Sequence, residues 1–126
     1  MLARSDRRRA WALFREALQS DLGDVQGGTT QEGIHIGAMA ATVDLVIRCY
    51  TGCEMRENQL RLNPCLPESI KSLKLNIRYQ DNWLELSLTQ QRMMVAAQRS
   101  TRDPTEFWFR GELHRIEPGQ KQEFDL

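Results

Sequence analysis

The chain has 126 residues, enough for one domain or for one domain with part of another. Hydrophobic residues make up 40% and charged residues 27%, which excludes a disordered, collagen-like or disulfide-dense chain. Lys plus Arg is 17 and Asp plus Glu is 17, and this neutrality argues against a general nucleic-acid or membrane-surface binder.

The opening stretch MLARSDRRRAW has basic residues but no apolar run behind them, so it does not read as a secretory signal. No run of about 18 apolar residues occurs, so no transmembrane helix is expected. The cysteines are Cys49, Cys53 and Cys65. An odd count fits a reducing cytoplasm, the expected location, better than an exported disulfide framework. A metal site would need a fourth ligand, and the C-x3-C spacing is not a zinc-knuckle pair, so buried or idle thiols are expected.

Residues 5–20 read as a helix, with Ser5 or Asp6 able to cap its N-terminus. Trp11, Phe14 and Leu18 form one stripe, flanked by Leu13 and Ala17. Arg7, Arg8, Arg9, Arg15 and Glu16 take the wet face, and without aromatic interleaving the arginine run reads as solvated surface. Residues 21–33, DLGDVQGGTTQEG, read as a loop because glycine, Asp and Thr give backbone freedom.

Residues 34–50, IHIGAMAATVDLVIRCY, read as a second helix. Between Ile34 and Ile47 only His35, Thr42 and Asp44 are polar. Ile34, Ile36, Met39, Val43, Leu45, Val46 and Ile47 point in all directions around the axis, so the helix needs burial on every side. Gly33, Gly37 and Ala41, with Ala38 beside them, allow another backbone to approach. The segment is too short to span a bilayer. One companion helix cannot cover it, so it belongs inside a larger helical assembly. Gly52 is placed to end it.

After residue 52 the pattern changes to strands. EMRENQLRL (54–62) reads as a hairpin around Glu57-Asn58, and NPCLPESIKS as a connector. Leu73, Leu75, Ile77 and Tyr79 alternate with Lys74, Asn76 and Arg78. Asp81-Asn82 is read as the turn, after which Leu84, Leu86 and Leu88 share a face. Residues 92–97, 106–109, 113–116 and 122–126 are further strands, the last two split by Pro118-Gly119. Six or seven short strands with regular turns imply an antiparallel sandwich of the jelly-roll kind. The expected fold is therefore α+β: two N-terminal helices in residues 1–52, then a small β-sandwich in residues 53–126.

The candidate site lies at the loop–helix junction, on Gly28, Thr29, Thr30, Glu32 and His35. A glycine-rich loop entering a helix gathers free N–H groups and the positive dipole end, which suits an anion such as phosphate. Thr29 and Thr30 add hydroxyl donors and His35 a ring N–H or a charge. Thr29 and Glu32 also have the spacing of a capping box, a purely structural role. The loop is neither a Walker A motif nor a dinucleotide fingerprint. His114, on an outward strand position, is expected at the surface. A complete catalytic set is missing: Glu32 is a single carboxylate, and glycoside chemistry needs two.

The string GDVQGGTTQEGIHIGAMAATVDLVIRCYTG resembles the end of the catalytic domain in family 65 of the glycoside hydrolases, which includes the trehalose, kojibiose and maltose phosphorylases. LRLNPCLPESIKSLKLNIRYQDNWLELSLT resembles the family's C-terminal β-sandwich. The resemblance implies that residues 1–52 are the last helices of a six-over-six α/α barrel. It implies that Gly28, Thr29, Thr30 and His35 border the active site and help hold inorganic phosphate, a co-substrate rather than a cofactor. Phosphate attacks the anomeric carbon with inversion, while a glutamic acid far upstream protonates the leaving oxygen. No counterpart of that acid is present, so the chain alone is expected to be inactive. The expected partners are a disaccharide, phosphate and the missing barrel part, in cis or as another chain. The alternative is a stand-alone sandwich module that dimerises through helix 34–50.

Overall fold

The computed structural model describes residues 7–22, 36–100 and 102–126. Helix α1 runs Arg7–Leu22. Helix α2 runs Ile36–Leu45 and continues as a π-helical turn, Val46–Tyr50. The expected capping residues Ser5 and Asp6 lie outside the described residues. Neither described helix is long and apolar enough to cross a membrane.

Eight strands follow, one or two more than the turn spacing implies. They are β1 (Glu54–Arg56), β2 (Gln59–Leu62), β3 (Ser72–Tyr79), β4 (Asn82–Thr89), β5 (Arg92–Ala97), β6 (Thr105–Phe109), β7 (Glu112–Ile116) and β8 (Lys121–Asp125). They form two four-stranded sheets, β1-β2-β6-β7 and β3-β4-β5-β8. Every pair is antiparallel except β2 with β6, which is parallel. That departure has a topological cause. Between β2 and β6 the chain crosses to the other sheet and builds β3, β4 and β5 before returning, so no hairpin forces β6 to run against β2.

Three hairpins close through two-residue loops whose residues are left-handed: Glu57-Asn58, Gln80-Asp81 and Arg110-Gly111. Positive φ at both positions is the primed turn that matches strand twist. The β3–β4 turn is therefore Gln80-Asp81, one residue earlier than Asp81-Asn82. Asn82 pairs with Tyr79 instead and is only 6% exposed. Its amide donates to Thr105 Oγ1 at 2.9 Å and to the Asp103 carbonyl at 3.2 Å. A buried amide needs such partners, and here they fasten the turn of one sheet to the strand entering the other.

The period-two patterns meet between the sheets. Leu84, Leu86, Leu88, Met93 and Val95 of one sheet and Leu60, Leu62, Phe107 and Ile116 of the other are almost wholly buried. Each such side chain contributes about 1.5–3 kcal/mol of transfer free energy. Phe14 of α1 and Tyr50 join the same apolar cluster. The helices are thus tied to the sandwich by packing as well as by the chain.

Candidate functional site

The anion-loop residues Gly28, Thr29, Thr30, Glu32 and His35 lie outside the described residues. What the structure defines is the frame on either side of them. Trp11 and Phe14 stack at 5.6 Å, and Tyr50 meets them at 6.4 and 5.5 Å. The first half of α1 therefore packs against the end of α2. Helical rise puts Leu22 about 12 Å beyond Phe14, and Ile36 about 20 Å before Tyr50.

The frame is anchored at its other end by main chain. The Tyr50 carbonyl accepts from Cys65 N at 2.9 Å, and the Gly52 carbonyl from Asn63 N at 3.2 Å. Gly52 adopts φ +62°, the left-handed exit expected of a helix end. Thr51, fully buried, donates its hydroxyl to the Ile47 carbonyl and accepts from Cys53 N at 3.1 Å. Burial raises the Tyr50 hydroxyl above the usual tyrosine value, with Cys49 adding to it. Burial likewise raises the Cys53 thiol, and Arg48 partly opposes that rise. Among the described residues all three cysteines are free thiols, and no cluster of His, Cys, Asp and Glu is placed to hold a metal ion.

The chain leaves α2 largely uncovered. Met39 is 55% exposed, Val43 59% and Leu45 39%. Leu13 and Leu18 of α1 are exposed as well. One companion helix and the sandwich cannot enclose a rod that is apolar all round.

His114 differs from the expectation of a surface residue. Register pairs it with Phe107 and pairs Leu113 with the outward Trp108, so Leu113 faces solvent and His114 turns inward. Its ring lies 5.8 Å from Phe107, 6.4 Å from Phe109 and 4.8 Å from Phe124. Nε2 is buried without a hydrogen bond, with the Glu112 carboxylate 4.0 Å away.

Comparison with known proteins adds the context that the geometry lacks. The profile "Glycosyl hydrolase family 65, C-terminal domain" matches residues 53–116, and "Glycosyl hydrolase family 65 central catalytic domain" matches residues 1–44. An uncharacterized glycosyl hydrolase of Mycobacterium tuberculosis is 41% identical over 119 residues, covering 94% of this chain and 9% of that protein. The trehalose 6-phosphate phosphorylase of Lactococcus lactis is 36% identical over 81 residues, covering 64% of this chain and 10% of its own length. A solved structure described as a kojibiose phosphorylase from the human microbiome superposes with TM-score 0.77 at 19% identity. It covers 90% of this chain, and 14% of that one is covered; the likeness is one of fold. The chain spans about a tenth of the length of the curated relatives it matches.

Proposed function

Because this chain belongs to glycosyl hydrolase family 65, we propose that it is the carboxy-terminal part of an inverting phosphorylase or hydrolase of α-glucosidic disaccharides. The observation that carries this reading is the uncovered apolar surface of α2, directly beside a segment matching the catalytic domain. Burying that surface requires other helices, and the missing barrel supplies them, in cis or as a separate chain.

In the assembled enzyme, Gly28, Thr29, Thr30 and His35 hold phosphate through main-chain N–H groups, hydroxyls and the imidazole. Glu32 contacts the sugar or fixes the loop. The general acid comes from the barrel, so the isolated chain is inactive. The assembled protein works in the cytoplasm, consistent with three free thiols.

The test is release of glucose 1-phosphate from trehalose, kojibiose and maltose in the presence of phosphate. The 126-residue chain alone gives none, and turnover by it overturns the reading. Co-production with the preceding barrel segment of a family 65 enzyme restores turnover, and His35→Ala in that pair weakens phosphate dependence.

The same exposed face favours one second reading, a homodimer built through α2. Light scattering separates the two: a stable dimer that binds no barrel segment supports the second and removes the first.

A further inference from the structure

A cleft of about 420 Å³ opens on the sandwich, walled by two hairpin turns. One wall is the Glu57-Asn58 turn and the other carries Gln80; the floor is the exposed face of β6 and β7. Tyr79 holds the walls together, its hydroxyl donating to the Asn58 carbonyl at 3.2 Å.

Its polar lining comprises Asn58, Tyr79 and Arg115 together with four further side chains, Glu57, Gln59, Gln80 and Glu106. All four are exposed, and among the described residues none spends its side chain on a hydrogen bond or ion pair. Planar carboxylate and amide groups converging on one concavity are arranged to take paired hydroxyls. Leu113, 54% exposed, and Pro104 add apolar surface beside them. The wall residues Glu57 and Gln80 sit at φ +52° and +47°, an uncommon conformation for non-glycine residues. That conformation is the one the primed turns of both hairpins require, and it fixes the two walls.

The charges narrow the ligand. Glu57 and Glu106 oppose a single cation, Arg115, whose Nε already lies 3.3 Å from Glu117. A phosphorylated or carboxylated ligand would meet net negative potential. A divalent cation lacks a ligand set, since no group of three or more His, Cys, Asp or Glu is gathered among the described residues. A neutral polyhydroxyl molecule meets neither objection.

We propose that this cleft is a non-catalytic carbohydrate site that takes the end of a neutral oligosaccharide. None of the residues lining it belongs to the anion loop, and it does not require that loop to bind phosphate. Glu57, Gln59, Gln80 and Glu106 accept from and donate to sugar hydroxyls, and Leu113 covers a C–H face.

The experiment is calorimetric titration of the 126-residue chain with maltoheptaose, cellohexaose and glucose 1-phosphate. The variants are Glu57→Ala with Glu106→Ala, and Lys74→Ala on the other sheet as control. A neutral oligosaccharide binds the wild type and the control alike, and the double variant binds about tenfold more weakly. Should the alanine pair unfold, Glu57→Gln with Glu106→Gln replaces it and shows the weakening through loss of two charged acceptors. The proposal is overturned if neither neutral saccharide binds, if only glucose 1-phosphate binds, or if the folded double variant binds as the wild type does. None of these outcomes bears on phosphorolysis by the assembled enzyme, which the turnover assay tests separately.

Discussion

A Cβ added to Gly52 would stand 2.0 Å from the carbonyl oxygen of Asn63. The glycine is thus required twice: by its left-handed backbone and by the main chain of the connector pressed against it. Both demands arise where the helices join the sandwich. Gly52→Ala is expected to cost about 2–4 kcal/mol, because neither rigid main chain can yield cheaply. Urea unfolding followed by tryptophan fluorescence reads the loss. A change below about 0.5 kcal/mol would mean the two segments are not held this closely.

Strand β7 supports the opposite kind of change. His114 fills an aromatic cluster with a ring whose Nε2 is buried and unpartnered. Replacing a polar group that has no partner by an apolar ring of similar shape removes a desolvation penalty. His114→Phe is expected to stabilise the chain by about 1 kcal/mol, a rise in Tm of about 4 °C. Calorimetry checks it, and a lower melting temperature would show that the imidazole is satisfied in solution.

Much of the sandwich is legible before any coordinates. The alternation of Leu73, Leu75 and Ile77, and of Leu84, Leu86 and Leu88, assigns faces because side chains repeat every two residues along a strand. Glu57-Asn58 is recognisable as a turn between two such runs. Three things are not legible. Strand neighbours depend on where crossovers land, so the parallel contact of β2 with β6 leaves no local trace. The phase of a turn shifts by one when the next residue is needed elsewhere, as Asn82 is by Thr105. The face of a short strand is ambiguous when both faces carry large side chains, as Leu113 and His114 do. The cleft escapes for a similar reason. Glu57, Gln80 and Glu106 are far apart along the chain, and only the tertiary fold gathers them.

Alkaline pH should weaken the junction between helix and sandwich. Burial raises the folded-state values of Cys53 above 9.0 and of Tyr50 above 10.0. The fold therefore keeps protons that the unfolded chain releases first. The stabilisation is complete below the unfolded values and falls as pH rises through the folded ones. The urea midpoint is expected to hold between about pH 6 and 8 and to drop from about pH 9 upward. Cys53→Ser should remove the earlier part of that drop and leave the tyrosine part. A midpoint that stays level to about pH 10.5 in the wild type would contradict the desolvation of both groups.

The exposed face of α2 gives the sharpest test of the proposed assembly with a barrel. Val43 is 59% exposed and its carboxylate neighbour Asp44 is already paired with Arg48 at 2.7 Å. In the isolated chain Val43→Glu removes little buried area, so its cost is expected to stay below about 0.5 kcal/mol. Against a barrel that encloses the helix, the same substitution buries a charge without a partner, a change that costs several kcal/mol. The variant should therefore melt like the wild type by itself and fail to associate with a co-produced barrel segment. Pull-down of the segment by wild type and by Val43→Glu reads the difference. Equal capture by both would show that a barrel does not enclose this face, and the proposed assembly would lose the observation that carries it.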